Sequence, residues 1–378
     1  MHKLLSIFSA ALLVSLTLSL TLNVVQPAQA AGGPVDLVRL AGPDRLLTAV
    51  DISQESFPAD NSAQAVYLYN SDNPVDALAA VPLTVAHPNN IGPLLPVKGG
   101  LELTAEVRAE LDRVLCDTCI VEVLGGMAAI SQTVFDSLDN GSYFVERIGG
   151  KDRFVTAAII AERVRSAIAP NVPDLFIVNG YAMADALAIG PYAGNFDPAY
   201  QTLSEAGGVV LFTYEDAVPT ETLDFIDGQS GGFISLVGGP AVLDESIGAM
   251  LSQRHYSGSS SNYGRFGGAN RYFTAQMIAA AFTINNGALA NYGVGLANGE
   301  TMVDALPAGP LLARSVRPLL LTDSGENLNC AAAQYLEQHQ NQLKDGYIFG
   351  GTAVVTNTAE QQAEALLNQL TNASNLGC

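Results

Sequence analysis

The chain has 378 residues, of which 48% are hydrophobic, so it can bury a substantial core and is not a disordered protein. It carries 37 acidic residues against 17 Lys and Arg, which gives a formal net charge of −20 at pH 7. This negative balance argues against nucleic acid and anionic membranes as partners. Any polyanionic ligand would have to be held by a local cluster of basic groups.

The first thirty residues predict a secretory signal peptide. Lys3 supplies a positive charge, residues 4–25 form an apolar segment, and Ala28-Gln29-Ala30 is a cleavage site with small residues. No lipid-attachment cysteine or sorting motif is visible in the rest of the sequence. We therefore expect an exported protein that starts near Ala31 and has no membrane anchor.

An eleven-residue motif, R-x-x-G-x-[DN]-R-x-x-T-A, opens each of three repeats and lies at residues 39–49, 147–157 and 265–275. Two further landmarks keep the same order in each copy. The triplet Asp-Ala-Leu begins at Asp76, Asp185 and Asp304, and a Gly-Gly pair begins at Gly125, Gly238 and Gly350. A repeat of this length organises a whole fold. After a signal peptide at residues 1–30, it predicts three domains, at residues 31–146, 147–264 and 265–378.

The apolar pattern predicts the same succession of elements within each repeat. A helix follows the motif, and a first strand follows it at residues 65–69, 175–178 and 293–297. After an Asn-containing turn, Asp-Ala-Leu is expected to open a second helix, and a second strand is predicted at residues 93–95, 209–212 and 318–321. A third helix, a third strand ending at the Gly-Gly pair and a final helix complete the repeat. Apolar strands that alternate with helices are typical of parallel sheets covered on both faces, so the fold class is α/β.

The four cysteines of an exported protein favour disulfides over a metal site. Cys116 and Cys119 could close a tight local loop. Cys330 and Cys378 both belong to the third repeat, where a bridge would pin the chain end. A Cys-x-x-Cys also occurs at thioredoxin-like redox sites, but the surrounding sequence lacks that context, and the second Cys-x-x-Cys of a zinc site is missing. We expect structural disulfides.

The motif arginines allow two interpretations; they are Arg39, Arg45, Arg147, Arg153, Arg265 and Arg271. Guanidinium groups at a glycine-rich helix start can bind phosphate or carboxylate. Alternatively, they hold one repeat against the next by pairing with the three recurring aspartates, Asp76, Asp185 and Asp304. We favour this interface role. The same aspartates could be catalytic, but their position ahead of a helical run favours helix capping or arginine pairing.

The remaining polar landmarks give little support to catalysis. The Gly-Gly pairs end apolar strands, as nucleotide sites do, but they lack the G-x-G-x-x-G pattern and a phosphate-loop lysine. Tight strand-to-helix turns explain them. His87, His255 and His339 occupy different positions in the repeat, so no metal site or catalytic triad recurs. We expect no cofactor, no metal and no enzymatic activity.

The motif, the Asn turn with Asp-Ala-Leu and the Gly-Gly strand end together resemble the cell-wall-binding repeat 2 family, from Arg39 to about Leu370. Members carry these repeats in tandem threes on Gram-positive surface-layer, clostridial cell-wall and autolysin-associated proteins. The resemblance implies three Rossmann- or Toprim-like parallel-sheet modules that pack as a pseudo-trimer within one chain. It also implies non-covalent anchoring to the wall through an anionic secondary polymer.

An Ile-Leu-Leu motif after a proline is implicated in polymer binding in that family. The residues that match it, or stand beside it, are Arg317, Leu319, Leu320 and Leu321 in repeat three, Leu94 and Leu95 in repeat one, and Val210 and Leu211 in repeat two. An apolar run of this kind is more often a buried strand. Because apolar side chains cannot hold phosphate, we expect such a strand to shape a groove that arginines or backbone N–H groups complete.

We therefore expect a non-catalytic surface protein of a Gram-positive envelope, secreted and associated with the cell wall. Its partner would be an anionic secondary polymer or peptidoglycan, and self-association into a layer is open. One alternative is an enzyme or small-ligand-binding protein that uses the Gly-Gly loops. Another is a secreted repeat protein that has lost wall binding, in keeping with the negative charge and the imperfect motif of repeat two.

Overall fold

The computed structural model describes residues 34–138, 143–168, 174–197, 202–203, 207–229, 231–255, 263–285 and 292–378. The predicted signal peptide, residues 1–30, lies outside these segments. Within the described segments no helix has the length and apolar character needed to cross a membrane.

The helices and strands follow the repeats. The first repeat contains β1 (Leu37–Leu40), α1 (Arg45–Ser56), β2 (Ala63–Asn70), β3 (Leu94–Val97), α2 (Ala105–Val114), β4 (Leu115–Leu124) and α3 (Gln132–Leu138), with 3₁₀ turns at Pro74–Ala77, Leu83–Val85 and Pro88–Asn90. The second contains β5 (Phe144–Ile148), α4 (Arg153–Ile168), β6 (Asp174–Asn179), α5 (Met183–Ala193), β7 (Phe196–Asp197), β8 (Thr202–Leu203), β9 (Gly208–Thr213), α6 (Thr220–Asp227), β10 (Phe233–Val237) and α7 (Glu245–His255). The third contains β11 (Gly264–Phe266), α8 (Arg271–Asn285), β12 (Tyr292–Asn298), α9 (Ala308–Arg314), β13 (Leu319–Thr322), α10 (Cys330–His339), β14 (Leu343–Phe349) and α11 (Asn357–Leu367), followed by a 3₁₀ turn at Ala373–Leu376.

The predicted second helix starts at the Asp-Ala-Leu triplet only in repeat two, where α5 contains Asp185. In repeat one the corresponding Asp76 lies in a 3₁₀ turn, and Pro82 falls where a helix would have to continue. In repeat three α9 begins only after Pro307, downstream of the triplet. Proline lacks an N–H group and clashes with the preceding helical turn, which fits the start of α9 directly after Pro307. Pro82 does not by itself explain repeat one, because the equivalent Pro191 lies inside α5.

Three four-stranded parallel sheets form the framework, confirming the α/β prediction. Their strand orders are β3-β2-β4-β5, β9-β6-β10-β11 and β13-β12-β14-β1. The central strands are apolar and buried; in β6, for example, Leu175 to Val178 are all at zero exposure. Strands buried on both faces are what a parallel sheet with helical layers requires.

The outermost strand of each sheet belongs to the next repeat. These strands carry the first arginine of each motif, and they are β5 in the first sheet, β11 in the second and β1 in the third. In the third sheet Leu37 to Leu40 pair with Gly346 to Phe349, so the start of the first repeat completes the sheet of the last. Each repeat therefore completes its neighbour, and the set of three is closed into a ring.

The three repeats meet at one structurally equivalent position, which follows the recurring aspartate by five residues. It holds Val81 in repeat one, Gly190 in repeat two and Gly309 in repeat three. A Cβ atom built at Gly190 would lie 3.1 Å from Val81 Cγ2, and one built at Gly309 only 2.4 Å from the same atom. Two glycines thus make room for one valine, and one continuous hydrophobic core includes buried residues of all three repeats.

Candidate functional site

The motif builds an identical helix start three times. Asp44, Asp152 and Asn270 cap α1, α4 and α8, because one side-chain oxygen of each accepts two backbone N–H groups of the first turn at 2.9–3.1 Å. Three residues before the second arginine, the glycine N–H donates to the threonine hydroxyl at 3.1 Å, from Gly42 to Thr48, Gly150 to Thr156 and Gly268 to Thr274. The motif therefore fixes the position of the second arginine at the head of each helix.

The first arginine of each motif binds the preceding repeat. Its Nη1 donates to the carbonyl oxygen of the Gly-Gly turn, from Arg39 to Gly350 (2.7 Å), Arg147 to Gly125 (3.1 Å) and Arg265 to Gly238 (2.6 Å). Arg39 also forms an ion pair of 2.7 Å with Glu360, and Arg265 one of 3.1 Å with Glu245. These guanidinium groups are occupied by backbone carbonyls and not by the aspartates that the sequence suggested as partners.

The Gly-Gly turns have a conformation that only glycine adopts easily. The φ angles of Gly125, Gly238 and Gly350 are +99°, +115° and +100°. A Cβ atom at these positions would also approach a carboxylate oxygen of the recurring aspartate, to between 2.7 and 3.0 Å. The turn thus has a structural reason for its glycines, and it places the aspartate directly beside the strand end.

The second arginine of each motif binds within its own repeat. Its Nη1 donates to the carbonyl that follows the Asn of the turn, from Arg45 to Ser71 (3.4 Å), Arg153 to Gly180 (2.9 Å) and Arg271 to Gly299 (2.9 Å). Arg45 and Arg271 are exposed, and the side chain of Arg45 is 48% exposed. Arg45 and Arg271 therefore retain surface that a ligand can reach, whereas Arg153, like the first arginines, is half-buried.

Each recurring aspartate faces the second arginine of the following repeat. Burial raises the pKa of all three carboxyl groups, while the nearby guanidinium lowers it, with Arg153 acting on Asp76, Arg271 on Asp185 and Arg45 on Asp304. None of the three aspartates caps a helix: Asp185 lies in the first turn of α5, which has no side-chain cap. Aspartate, Gly-Gly turn and arginine thus form one composite site at every junction between repeats.

A cavity of about 710 Å³ lies at the junction of repeats two and three. Asp185, Tyr181 and Asn179 line it from repeat two, and Arg271, Asn270 and Thr274 from repeat three. Asp185 is only 5% exposed, and its Oδ1 has no hydrogen-bond partner. Burial raises the pKa of Asp185 to about 6, against the opposing effects of Arg271 and Thr274.

The structure places the Ile-Leu-Leu-like residues away from solvent. Leu94 and Leu95 lie in β3, Val210 and Leu211 in β9, and Leu319 to Leu321 in β13, and none is more than 1% exposed. Arg317 forms an ion pair of 2.8 Å with Asp345 and stacks on Tyr347. The buried-strand interpretation fits this placement, because a ligand cannot touch these apolar side chains in the folded chain. A role in polymer binding stays a prediction that would have to act through neighbouring groups.

The four cysteines form two disulfides, Cys116–Cys119 and Cys330–Cys378. The first closes a short loop, which lies within β4. The second joins the start of α10 to the chain end. Neither lies among the residues that line the cavity.

Sequence reasoning missed two features of the site. Tyr181 lines the cavity and is 61% exposed, and the only sequence signal is an aromatic residue two places after the Asn of the turn. The meeting of Val81, Gly190 and Gly309 was also missed, although aligning the three repeats on the aspartate brings these small residues into one column.

Comparison with known proteins identifies the repeats. The sequence profile of the family described as cell wall binding domain 2 (CWB2) matches residues 39–135, 147–248 and 265–360. Cwp6 from Clostridium difficile has a similar structure, with a TM-score of 0.72 and 25% identity over 90% of this chain and 50% of Cwp6. Cwp8 from the same organism gives a TM-score of 0.69 and 24% identity, over 90% of this chain and 53% of Cwp8.

Two curated proteins of Bacillus subtilis (strain 168) are similar in sequence. N-acetylmuramoyl-L-alanine amidase LytC is 26% identical over 324 residues, which is 85% of this chain and 57% of LytC. The amidase enhancer is 30% identical over 184 residues, which is 48% of this chain and 22% of the enhancer. The chain thus spans about half or less of the length of these relatives. With its three consecutive matching segments, the chain belongs to the cell wall binding domain 2 family.

Proposed function

We propose that the chain holds itself non-covalently to the bacterial wall by gripping an anionic secondary polymer at the junctions between its repeats. The observation that carries this proposal is the threefold recurrence of an arginine at a helix start; two of these arginines, Arg45 and Arg271, are exposed. A guanidinium group can bind phosphate or carboxylate through two parallel hydrogen bonds. Three copies on one ring would let a polymer engage several sites at once, which raises the overall affinity.

The net charge of −20 makes the location of these arginines important. Over the whole surface the protein repels a polyanion, so attraction must come from groups within about 10 Å of the ligand at ordinary ionic strength. Arg45, Arg153 and Arg271 each donate one bond within their own repeat, whereas the first arginines join the Gly-Gly turn of the preceding repeat. We therefore assign polymer contact to the second arginines and the joining of repeats to Arg39, Arg147 and Arg265.

We infer that the repeats bind and do not catalyse. The recurring polar groups at the junctions include one carboxyl and the second arginine, whose guanidinium donates to a backbone carbonyl in each repeat. The similarity to the amidase LytC is low and spans 57% of that protein. A hydrolase assay of the chain on isolated peptidoglycan would detect released muropeptides if this inference were wrong.

Polymer released from purified walls and immobilised provides the direct test. A variant with Arg45, Arg153 and Arg271 changed to Gln should bind it weakly and with less dependence on salt. The matched control changes Arg108, Arg163 and Arg254 to Gln; these are helix arginines outside the motifs that pair with nearby acids. Both variants lose three positive charges. Equal binding by the two variants would contradict the assignment.

A further inference from the structure

The junction between repeats two and three differs from the other two at its rim. Two residues after the Asn of the turn it has Tyr181, where the other repeats have Asp72 and Glu300. At the helix cap, Asn270 takes the place of the aspartate found in the other two motifs. This junction thus presents an aromatic ring and a neutral amide where the others present carboxylates.

The cavity has a buried polar acceptor in its lining. Asp185 is 95% buried, it lines the cavity, and its Oδ1 has no partner. A buried acceptor without a donor costs free energy, so a ligand that offers a donor there gains from pairing it. Glu215 adds a second carboxylate to the lining. The two carboxylates offer acceptors to hydroxyl and amino groups, while Arg271 on the same lining is left for the charged groups of the polymer.

The aromatic rim is held in place while its surface stays open. The guanidinium of Arg153 lies 4.6 Å from the centre of the Tyr181 ring, and the rings of Phe154 and Tyr214 lie 6.1 and 6.2 Å away. These contacts fix the ring, yet Tyr181 remains 61% exposed. An immobilised aromatic surface next to polar acceptors suits a ligand with one apolar face and several hydroxyl groups.

We propose that the cavity between repeats two and three is a subsite for one sugar residue of the wall polymer. Tyr181 stacks against the apolar face of the sugar ring, and Asp185 accepts a hydroxyl or amino group. The volume of the cavity, about 710 Å³, falls within the range of about 300–1,000 Å³ that small-molecule sites occupy. This assignment rests on the proposed binding to the wall. The junction between repeats two and three would recognise a sugar residue of the polymer, while the arginines bind its charged groups.

The test uses glycan fragments freed of phosphate by cold hydrofluoric acid treatment of the wall polymer, with inorganic phosphate as the second probe. Binding to the whole chain is followed by saturation-transfer NMR. We expect the fragments to bind and phosphate not to compete. Tyr181→Ala should weaken fragment binding by about tenfold, the equivalent of one aromatic stacking contact. Asp72→Ala, the same position in repeat one, is the matched control and should leave fragment binding unchanged.

Asp185→Asn is a second variant, which keeps the size of the side chain and should also weaken fragment binding. Fragments that do not bind, or that bind equally to wild type and Tyr181→Ala, would overturn the sugar subsite. So would displacement of the fragments by phosphate. Sedimentation with intact walls is measured in parallel. Wall binding without fragment binding would refute the subsite alone, and fragment binding without wall binding would refute the anchoring proposal alone.

Discussion

The meeting of Val81, Gly190 and Gly309 allows a quantitative test of how the three repeats pack. A Cβ atom at Gly309 would lie 2.4 Å from Val81 Cγ2, so Gly309→Ala must displace the valine or the helix. Overpacking costs about 1–3 kcal/mol. Alanine gains about 0.8 kcal/mol over glycine within a helix such as α9. We therefore expect Gly309→Ala to lower the free energy of unfolding by about 1–2 kcal/mol.

The equivalent Gly190→Ala is the matched control, because its Cβ would lie 3.1 Å from the same atom. Its smaller clash and the same helical gain should nearly cancel. Val81→Ala alone should cost about 2 kcal/mol for two buried methyl groups and the space they leave. The double variant Val81→Ala with Gly309→Ala should be about 1–2 kcal/mol more stable than the sum of the single effects.

Urea unfolding followed by circular dichroism measures these values, provided the m-value stays constant. Additive single effects, within about 0.5 kcal/mol, would show that the two residues do not touch. A stabilising Gly309→Ala would have the same meaning. Either result would refute the packing of the three repeats around one valine.

Three further predictions concern stability. Arg39→Gln should lower the free energy of unfolding by about 2–3 kcal/mol, because it removes a charged hydrogen bond to the Gly350 carbonyl and the ion pair with Glu360 that joins repeat one to repeat three. Urea unfolding measures this loss, and an unchanged midpoint would contradict the role of Arg39. The pKa of Asp185 in the folded chain is about 6, above its ordinary value of 3.8, because burial favours the neutral carboxyl. The folded state is therefore favoured by the neutral carboxyl below pH 3.8, and this stabilisation is lost as the pH rises through 6 and the buried group becomes charged. Asp185→Asn should therefore be about 2–3 kcal/mol more stable than wild type at pH 7.5 and gain nothing near pH 3.5, and equal gains at both pH values in thermal melts would refute the buried charge. Cys378→Ser should lower the free energy of unfolding by about 2–4 kcal/mol by opening the bridge to Cys330, whereas a melting temperature insensitive to this change would exclude a stabilising disulfide.

The repeated motif and the apolar strands sufficed to predict three parallel sheets. Residues 175–178 of β6 and 209–212 of β9 are apolar, and only a sheet covered on both faces buries them fully. The exchange of the outermost strand could not be predicted. β1, β5 and β11 have only three to five residues, and a short stretch ahead of a helix gives no sign of which sheet it will join.

The sequence singled out the motif arginines, but it did not show which groups they bind. Arg39, Arg147 and Arg265 bind backbone carbonyls, and a sequence does not show where a carbonyl will point. The aspartates were expected to cap helices or pair with arginines. Pairing opposite charges could suggest that each aspartate lies near an arginine of the next repeat. The different starts of the second helix could not be predicted, because the same proline lies inside α5 and α9 and outside any α-helix in repeat one.

The leucine motif shows a further limit of sequence reasoning. Leu319 to Leu321 match a pattern associated with polymer binding, yet they lie in the buried strand β13. An apolar run has the same appearance whether it lines a groove or fills a core. Tyr181 has no aromatic counterpart in the other repeats, where Asp72 and Glu300 take its place. A search for features that recur in all three repeats predicts the fold but does not find a residue that occurs in one repeat alone.

Sedimentation of the chain with purified cell walls, before and after acid removal of secondary polymers, tests the central claim most directly. Anchoring through an anionic secondary polymer predicts that the protein sediments with intact walls and stays in solution with stripped walls. Binding that survives stripping would contradict the polymer as the partner and identify peptidoglycan instead. Failure to sediment with intact walls of the source organism would contradict anchoring itself.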